Sequence, residues 1–585
     1  MIENLRPYDV EYLTNLSQEQ LREFALAHTP SIGVTAQGNL NKVSRNKARM
    51  AKFTFVIAPE SDDALYSAKT MPREQADVLI AAQKAYILGK GKLIELQAFL
   101  GLGPRAVPVQ WLYTMEGANI AGMQSILGFP IGDVLKDGEE FAPEFRVVYT
   151  PDHTPDSPGG QAILVDLENY TTYIMGPDYF GESKKAALRM LNDLTFEQGG
   201  LTLHAGAKAV KIGNTSVTMT IMGLSGTGKT TTTFSKQGDV AQPIQDDMVT
   251  LWPHGELSIT ENGCFAKTFG LTEETEPVIY RGTMSREAWL ENAYADTDGV
   301  LDFFKDELTA GEVAGCRQTL IDTNAPAANV DKYIAGDTSL DDVTNDAGTP
   351  DDGWDFVKWT QNGRSIIPMS SVEDAADLHA IPPVKSMGIL NRDEGLDAAT
   401  PGILRFKTPE QAAGYFMLGE TTKTSAAGKD TGKTRSPFTQ PFFPRAFGLQ
   451  AGRFRELAAT MPNVGLWMMN TGYVGGSVKE VAADQAFKVK IRHSSAMLEA
   501  LITEKIAWTE DPDFGYLVVD LDAPENAALL EKVPAEILRP VTFFEKAGRM
   551  DEYRAWVAAM KSERRTFLEK FDVDADIIAA TVNDA

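Results

Sequence analysis

The residues with the clearest chemical role form a glycine-rich loop, Gly223-Leu-Ser-Gly-Thr-Gly-Lys-Thr230. An apolar run that predicts a strand, VTMTIM, leads directly into the loop, and a threonine-rich run that predicts a helix follows it. Glycines let backbone N–H groups turn inward around phosphate oxygens, a lysine reaches the β- and γ-phosphates, and a threonine hydroxyl binds the accompanying metal ion. This order predicts phosphoryl transfer from a nucleoside triphosphate, bound with a divalent metal ion by Gly223, Leu224, Ser225, Gly226, Thr227, Gly228, Lys229, Thr230 and Thr231.

The metal ion of a bound nucleotide requires a carboxylate. Asp246 and Asp247 end the short run VAQPIQ, which predicts a second strand beside the loop, although an ordinary acidic turn has the same appearance. His204 stands shortly before the strand that leads into the loop. A lone histidine is more often a packed residue than a ligand, and a pair such as Lys184–Lys185 is typical of a solvated helix start. The residues alone leave these roles open.

Composition excludes several classes of protein. The 585 residues predict two or more domains, and the net charge of −26 repels nucleic acid and anionic membranes. No apolar run reaches the roughly 18 residues of a membrane span, and the acidic, polar N-terminal segment is unlike a secretory signal. Cys264 and Cys316 are too few for a disulfide framework, which fits a reducing compartment. We expect a cytoplasmic enzyme for an anionic small molecule, a monomer or small homo-oligomer, with no nucleic acid and no membrane as partner.

The elements that must position these residues alternate between helix and strand, which predicts an α/β fold. Helices are predicted at 17–28, 72–102 and 184–200, with Ser17 as the first N-cap, and strands at 52–58, 109–114, 145–149, 162–166 and 217–222. Residues 305–362 are acidic and rich in Gly, Thr and Pro, and we expect a surface insertion with little core of its own. The small, polar residues 421–440 predict a mobile loop.

The ordered motifs GLSGTGKTT, a DD pair, ENGCFAKT and EETEPVIY resemble the ATP-dependent phosphoenolpyruvate carboxykinase family. DYFGESKKAALRM and LTLHAGAKA upstream, and TPGILRFKTPEQAAGYF, LGETTKTSAAG and MNTGYVGG downstream, extend the resemblance over residues 170–300 and 364–510. It implies a two-lobed α/β fold, with an N-terminal lobe at 1–205 on the organic-acid side. The C-terminal lobe at 206–585 would be the P-loop mononucleotide-binding lobe, with the acidic insertion at 305–362 and a lid at 421–440.

The resemblance also implies roles for individual residues. Lys185, His204 and Asp247 would hold Mn²⁺, and Thr230 would hold the Mg²⁺ that travels with ATP. A lysine can be a metal ligand only as a neutral amine, so its pKa must be lowered. The catalytic set would be Lys229, Lys267, Arg405, Asp246 and Lys184, the first three neutralising the transferring phosphoryl group. Glu276 would contact the ribose, and Arg45, Tyr179 and Arg405 would face the substrate acid.

The sequence departs from the family pattern at the acid pocket. The segment that should carry the carboxylate-binding arginine reads VSRNKARM, so Arg49 is a rival to Arg45. Asp178 and Phe180 flank Tyr179 where the family has tryptophan and glycine, and we expect the Phe180 ring either in the pocket or on the lid. The lid gains Lys429, Lys433 and Arg435, and the arginine expected before the adenine-binding helix is Ser495, with Arg492 as a substitute one turn earlier.

Three functions fit these residues. The first is conversion of oxaloacetate and ATP into phosphoenolpyruvate, CO₂ and ADP, with the metal ion stabilising the enolate. The second is a diverged kinase on the same scaffold, acting on a larger or phosphorylated small molecule or on a protein, which the altered pocket and basic lid favour. The third is a non-catalytic nucleotide-binding regulator, which the complete phosphate-binding loop disfavours.

Overall fold

The computed structural model describes residues 4–46, 50–224, 227–234, 241–337, 359–423, 432–439 and 442–584. Four residues named above, Arg49, Ser225, Gly226 and Lys429, lie outside these ranges. None of the helices within them is long and apolar enough to cross a membrane. Both cysteines are free thiols, Cys264 buried and Cys316 partly buried.

Short strands make up the sheets. They are β1 Glu11–Thr14, β2 Ile32–Val34, β3 Leu40–Lys42, β4 Thr54–Ile57, β5 Lys69–Met71, β6 Lys92–Leu100, β7 Val107–Tyr113, β8 Phe129–Pro130, β9 Phe145–Thr150, β10 Ala162–Asp166, β11 Thr171–Met175, β12 Leu201–Leu203, β13 Ala205–Ile212, β14 Thr215–Gly223, β15 Ala241–Gln245 and β16 Val249–Leu251. They continue with β17 Leu257–Ile259, β18 Gly263–Lys267, β19 Trp289–Glu291, β20 Tyr294–Ala295, β21 Leu301–Asp302, β22 Arg364–Pro368, β23 Val384–Asn391, β24 Ile403–Arg405, β25 Glu420–Lys423, β26 Gly432–Arg435, β27 Gly465–Asn470, β28 Tyr473–Val474, β29 Phe487–Lys488, β30 Trp508–Glu510 and β31 Leu517–Val519.

Helices connect and cover these strands. They are α1 Gln18–His28, α2 Arg73–Lys90, α3 Ala118–Leu127, α4 Ile131–Val134, α5 Gly181–Glu197, α6 Lys229–Phe234, α7 Pro277–Thr283, α8 Ala310–Gly315, α9 Arg317–Asp322, α10 Ala327–Ala335, α11 Pro409–Leu418, α12 Leu449–Ala459, α13 Val478–Ala482, α14 Ile491–Ile502, α15 Ala527–Leu530, α16 Ala535–Leu538, α17 Pro540–Lys546, α18 Met550–Glu569 and α19 Ala575–Val582.

The chain forms two compact units. Unit 1 comprises Met1–Leu194 and Thr260–Ala375, and unit 2 comprises Thr195–Ile259 and Ala376–Ala585. The chain therefore passes between the units three times, the first time inside α5. The single boundary predicted between residues 205 and 206 differs from this division, because a later segment of the chain returns to complete unit 1.

Unit 1 is built on two sheets. The larger has nine strands, ordered β1-β6-β7-β9-β11-β10-β4-β5 with β8 paired to β6. The smaller has five strands, ordered β18-β22-β19-β3-β2, in which β3 runs parallel to β19 and pairs Leu40 with Trp289. Strands from both ends of the unit's sequence thus share one sheet.

Unit 2 is built on an eight-stranded sheet ordered β15-β13-β14-β23-β27-β24-β31-β30. Buried residues of α14, Met497 and Leu498, pack with Met219 of β14 and Trp467 of β27 in one continuous core. A three-stranded sheet, β12-β16-β17, and two hairpins, β25-β26 and β28-β29, complete the unit. The mixed α/β class predicted from the sequence is confirmed.

Most of the predicted elements are confirmed, with one clear exception. Ser17 caps α1, and its side chain accepts from the backbone amide of Gln20 in a capping box. The helix predicted at 72–102 is wrong beyond residue 90, because Gly91 ends α2 in the left-handed conformation (φ 71°) and the chain continues as β6. Glycine adopts this conformation without steric cost, so it commonly ends helices.

The acidic insertion has more core than its composition predicts. Between residues 305 and 337 it forms α8, α9 and α10, and a Thr309 capping box with Glu312 starts the first of these helices. Their buried residues form one cluster with residues from elsewhere in unit 1: Val43, Tyr294, Leu308, Val313, Leu320, Ala325, Val330 and Trp359. The expectation of little core is therefore wrong for this part, because the apolar partners lie far away in the sequence.

Two glycines let tryptophan rings lie flat against the backbone. Gly122 of α3 faces the Trp289 ring, and Gly388 of β23 faces the Trp467 ring so closely that an added Cβ would overlap it. Trp467 is fully buried and donates from Nε1 to Ser386 Oγ at 2.7 Å, so its ring has little room to move.

We therefore expect Gly388→Ala to lower the free energy of unfolding by about 1–3 kcal/mol, the usual cost of overpacking a core. Gly452→Ala on α12 is the matched control, because an added Cβ there meets nothing within 4 Å and alanine favours a helix. Urea unfolding followed by tryptophan fluorescence measures both. Equal unfolding midpoints for the two variants would contradict the packing described for Trp467.

Candidate active site

The phosphate-binding loop leaves β14 at Gly223 and enters α6 at Lys229. Gly223 cannot carry a side chain, because a Cβ would overlap the Thr227 hydroxyl, which donates to Leu224 O at 2.8 Å. Gly228 adopts a positive φ of 88°. The strand–loop–helix order predicted from the sequence is present.

The direction of three neighbouring strands brings distant residues to this loop. β13 is antiparallel to both β14 and β15, so its first residue lies at the edge where the other two strands end. His204 directly precedes β13, Gly223 ends β14, and Asp246 and Asp247 directly follow β15. The three predicted functional segments therefore meet at one edge of the central sheet.

The side chains at this edge are in contact. His204 Nε2 lies 2.8 Å from Asp247 Oδ1, and Lys229 Nζ donates to the same oxygen at 3.1 Å. His204 Nδ1 lies 3.0 Å from Phe438 O. A carbonyl oxygen only accepts, so Nδ1 carries a proton, and Nε2 is the ring nitrogen that faces Asp247. Burial and the nearby Lys229 lower the pKa of His204 against the opposing effect of Asp247, which favours the neutral ring.

A buried lysine holds the helix that follows the phosphate-binding loop. Lys208 of β13 is fully buried, and its Nζ donates to Thr232 O in α6 at 2.6 Å. Thr233 of α6 lies against Gly206 of the same strand, where a Cβ would overlap its hydroxyl. Burial lowers the pKa of Lys208 to about 7. The helix that follows the loop is thus fixed on β13.

Unit 1 contains a pair of neighbouring cations, Lys267 and Arg364, of which the motifs predict only Lys267. Lys267 ends β18 and lies directly opposite Arg364, the first residue of β22, so both side chains point to the same face of the sheet. Burial and Arg364 lower the pKa of Lys267. Like charges in direct cross-strand pairs are destabilising, and a bound anion relieves their repulsion. Arg364 is the functional candidate that sequence reasoning missed.

A signal for Arg364 exists in the sequence. The residues NGRSIIP resume regular structure directly after the acidic insertion, and SIIP predicts a strand. Nothing local indicates that this strand pairs with GCFAK and places Arg364 against Lys267. The same rung continues across the sheet to Glu291 of β19 and then Lys42 of β3.

The negative charge of Asp178, which replaces the tryptophan of the family pattern, is neutralised by neighbouring cations. Asp178 Oδ2 lies 3.4 Å from both Lys42 Nζ and Arg45 Nε, and its carboxylate accepts from the backbone amides of Arg45 and Asn46. Burial alone would raise the pKa of the Asp178 carboxyl, but these neighbours together lower it to about 2. Arg45 also donates to Gly176 O at 3.0 Å. Arg45 is thus placed by Asp178, and its contact with a substrate carboxylate stays a prediction.

Phe180 goes into the core rather than into the pocket or onto the lid as expected. Its ring is fully buried and meets Phe265 edge to face, with centroids 5.6 Å apart. Tyr179 is also buried, at 1% exposure, and Arg364 and Asn362 lie within hydrogen-bonding reach of its hydroxyl. Tyr179 therefore supports Arg364 in this structure, and its contact with the organic acid stays a prediction.

The remaining candidates of unit 1 lie on two helices. Lys184 is buried on α5 rather than solvated, with Nζ 3.1 Å from Glu261 Oε2 and 4.7 Å from the Phe265 ring centroid. Lys185, the next residue of α5, is partly exposed, and Glu276 is the N-cap of α7. The metal, catalytic and ribose-binding roles given to these three residues stay predictions.

Arg405 does not reach the phosphate-binding loop. It ends β24, which is antiparallel to β27 and pairs Arg405 with Trp467. Its exposed side chain lines a cavity together with Val217 and Lys385, near the starts of β14 and β23. The direction of β24 carries its last residue away from the edge where Gly223 lies, so the predicted contact of Arg405 with the phosphoryl group or the substrate stays a prediction without support from this arrangement.

The basic residues of the lid hairpin are already paired. Arg435 of β26 donates to Glu420 of β25 at 2.8 Å, and Glu420 also accepts from Arg564 of α18 at 2.8 Å. Burial alone would raise the pKa of Glu420, but Arg564 and Arg435 lower it to about 2. Lys433 lies 3.1 Å from Asp397. These charges anchor the base of the hairpin, so neither solvation nor a substrate phosphate is needed to explain them.

The central sheet, with His204, the phosphate-binding loop and Asp247 at one edge, is that of a P-loop nucleotide-binding enzyme. The enzyme is built from two mixed α/β units. The family model for phosphoenolpyruvate carboxykinase matches residues 10–332 and 313–521. The chain belongs to the ATP-dependent phosphoenolpyruvate carboxykinase family, as a diverged member.

Curated relatives agree with the family match. The chain is 27% identical over 589 residues to phosphoenolpyruvate carboxykinase (ATP) of Rhizobium rhizogenes, which covers 98% of this chain and 94% of that protein. It is 28% identical over 457 residues to the enzyme of the same name from Afipia carboxidovorans, covering 75% and 70%. For that of Thermus thermophilus the identity is 26% over 460 residues, covering 76% and 72%.

The buried Lys208 predicts a pH dependence of stability. Its pKa is about 7 in the folded protein and roughly 10.4 in an unfolded chain, so the unfolded state binds more protons between these values. Stability contributed by Lys208 therefore rises with pH in this window. We compare the wild type with Lys208→Met. Between pH 7 and pH 9.5, the free energy of unfolding of the wild type should rise by about 2–3 kcal/mol relative to that of the variant. Urea midpoints at both pH values measure it.

Lys211→Met is the control, because Lys211 lies on the same strand and is exposed. Its difference from the wild type should stay constant between the two pH values. A constant difference for Lys208→Met as well would show that the amine is not desolvated under α6.

Proposed function

We propose that this protein converts oxaloacetate and ATP into phosphoenolpyruvate, CO₂ and ADP with a divalent metal ion. The observation that carries the proposal is the convergence of His204, Lys229 and Asp247 at the end of the phosphate-binding loop. The family match and the name phosphoenolpyruvate carboxykinase (ATP) of the relatives support it.

The donor set at this edge fits a metal ion. His204 Nε2 and the Asp247 carboxylate lie 2.8 Å apart, and a neutral imidazole nitrogen and a carboxylate oxygen are both common ligands of divalent metal ions. Lys229 supplies one positive charge, and a divalent ion between nitrogen and oxygen ligands satisfies both acceptors. Phe438 O fixes the ring through Nδ1, which is the usual support of a metal-binding histidine.

We infer Mn²⁺ for this site, with Lys185 as a further ligand, and Mg²⁺ with the nucleotide at Thr230. Imidazole and carboxylate ligands suit a transition metal, whereas hydroxyl and phosphate oxygens suit Mg²⁺. The Thr230 hydroxyl makes no hydrogen bond to any other described residue, so it can serve as that ligand. A metal ion bound at His204 and Asp247 supplies Lewis-acid polarisation of the substrate carbonyl.

Lysine and arginine side chains of the chain can neutralise the negative charge of the transferring phosphoryl group. Lys229 follows the loop and lies beside Asp247, and Lys267 and Arg364 form a cross-strand pair in unit 1. We propose that Lys229 neutralises the γ-phosphoryl group and that, as the resemblance implies, Lys267 has the same role; Arg364 is a further candidate because it is the cross-strand partner of Lys267. Loss of the departing carboxylate as CO₂ leaves its electron pair in an enolate, whose oxygen attacks the γ-phosphorus as ADP leaves.

Three sequence features favoured a different acceptor: Asp178, Phe180 and the basic residues of the lid. The structure gives each of them another explanation. Asp178 is neutralised by Lys42 and Arg45, so it adds no net repulsion toward a dicarboxylate. Phe180 is buried against Phe265 and fills no pocket. Lys433 and Arg435 are paired inside unit 2. A diverged kinase with a larger acceptor therefore has no specific support among the described residues.

The reaction itself is the first test. The purified protein with Mg²⁺, Mn²⁺, ATP and oxaloacetate should form phosphoenolpyruvate at about 1 s⁻¹ or more, within the normal range for enzymes. Lys229→Ala should lower kcat by roughly 10²–10³, because it removes a charge that stabilises the transition state. Intact ATP and Mn²⁺ binding with rates orders of magnitude lower would reject oxaloacetate and leave the kinase.

The second test separates Arg364 from ordinary surface arginines. Arg364→Gln should lower kcat/KM by about 10²–10³, with phosphoenolpyruvate formation as the readout. Arg317→Gln is the control, since Arg317 is exposed and pairs only with Asp331 among the described residues. A wild-type rate for Arg364→Gln, in a protein whose circular dichroism is unchanged, would remove Arg364 from the catalytic set.

A further inference from the structure

A cavity of about 440 Å³ lies within unit 2, at the edge of the central sheet opposite to the phosphate-binding loop. Val217 and Met219, near the start of β14, line it together with Ser386 near the start of β23 and Gly465 at the start of β27. The volume is in the range of roughly 300–1,000 Å³ that is typical of small-molecule sites.

One wall of the cavity is apolar. Met219 and Ile506 are nearly fully buried members of the large core cluster of unit 2, and Trp508 packs against the same cluster. The α14 helix ends at Ile502, so its end leaves this part of the sheet surface open. An apolar or aromatic group of a ligand would be taken out of water against these side chains.

Three cations lie on or near the rim of the cavity, and they differ in whether the side chain has an ionic partner. Lys385 pairs with Glu504 at 3.2 Å, and Lys407, two residues beyond Arg405, pairs with Glu510 at 2.7 Å. The Arg405 side chain lines the cavity and has neither an ion pair nor a hydrogen bond to any other described residue. A chain with a net charge of −26 attracts an anion only through such a local unneutralised cation.

The rim is also held in a costly conformation. Glu504 has a positive φ of 55°, the left-handed region that non-glycine residues rarely adopt. Glu504 is the residue that pairs with Lys385, so the Lys385 ammonium group already has a carboxylate partner at the rim. Arg405 then provides the positive charge of the cavity.

We propose that this cavity is a second binding site, for a small organic anion with an apolar or aromatic body. The carboxylate or phosphate of the ligand binds the Arg405 guanidinium, and its body packs against Met219, Ile506 and Trp508. A planar guanidinium binds both types of anion through paired hydrogen bonds.

This site is separate from the nucleotide site and does not depend on the proposed reaction. Val217 and Gly223 are six residues apart on one strand, which corresponds to roughly 20 Å. Ligand bound at the cavity and nucleotide bound at the loop therefore occupy different ends of β14.

The test uses the full chain and the fluorescent probe 8-anilinonaphthalene-1-sulfonate, which has an aromatic body and one negative charge. We expect saturable binding to one site, with energy transfer from tryptophan to the probe. Arg405→Gln should weaken binding about tenfold or more, because a charge-assisted hydrogen bond is lost. Trp508→Leu should weaken binding and reduce the energy transfer.

Two controls make the result decisive. Lys407→Gln removes one nearby positive charge outside the cavity and should leave the probe's dissociation constant within about twofold, since an exposed pair contributes little. Saturating ATP with Mg²⁺ should not displace the probe, whereas benzoate or phenyl phosphate should, and the better competitor identifies the head group. Displacement by ATP, equal weakening by Arg405→Gln and Lys407→Gln, or competition by neither anion would overturn the proposal.

Discussion

The position of one strand controls the chemistry of unit 2. Because β13 runs antiparallel between β14 and β15, residues before its start lie next to residues after the ends of its neighbours. His204, the phosphate-binding loop and Asp247 meet only under this arrangement. The buried Lys208 on the same strand bonds to α6, so the strand also fixes the helix that carries Lys229.

Charge in this protein is organised locally against a strongly negative total. Buried carboxylates such as Asp178 and Glu420 are each matched by two cations, so their negative charge is cancelled where it lies. Lys267 and Arg364 face each other instead, and the neighbouring carboxylate, Glu291, lies on the other side of Arg364. Local clusters of cations attract anions even where the rest of an acidic surface repels them.

The sequence predicts those parts of the site whose residues lie close together in the chain. The loop, its flanking strand and helix, and the DD pair lie close together in the chain, so their spacing is informative. Arg364 was missed, and the position of Arg405 away from the loop was not foreseen, because strand pairing and strand direction decide where each side chain points. The core of the insertion was missed since its helices pack on Val43 and Tyr294, distant residues that no window includes. Family resemblance identified the fold and the class of enzyme, which neither composition nor periodicity could have done.

The interrupted course of unit 1 has a consequence for synthesis on the ribosome. β2 and β3 form an early hairpin, but β19, the parallel neighbour of β3, is made roughly 250 residues later. At about 5–20 residues per second the hairpin waits on the order of ten seconds to a minute for its partner. A two-stranded hairpin is marginally stable alone and exposes an unpaired edge during that time. The nascent chain therefore carries a template for wrong pairing that disappears only once the second passage through unit 1 has emerged.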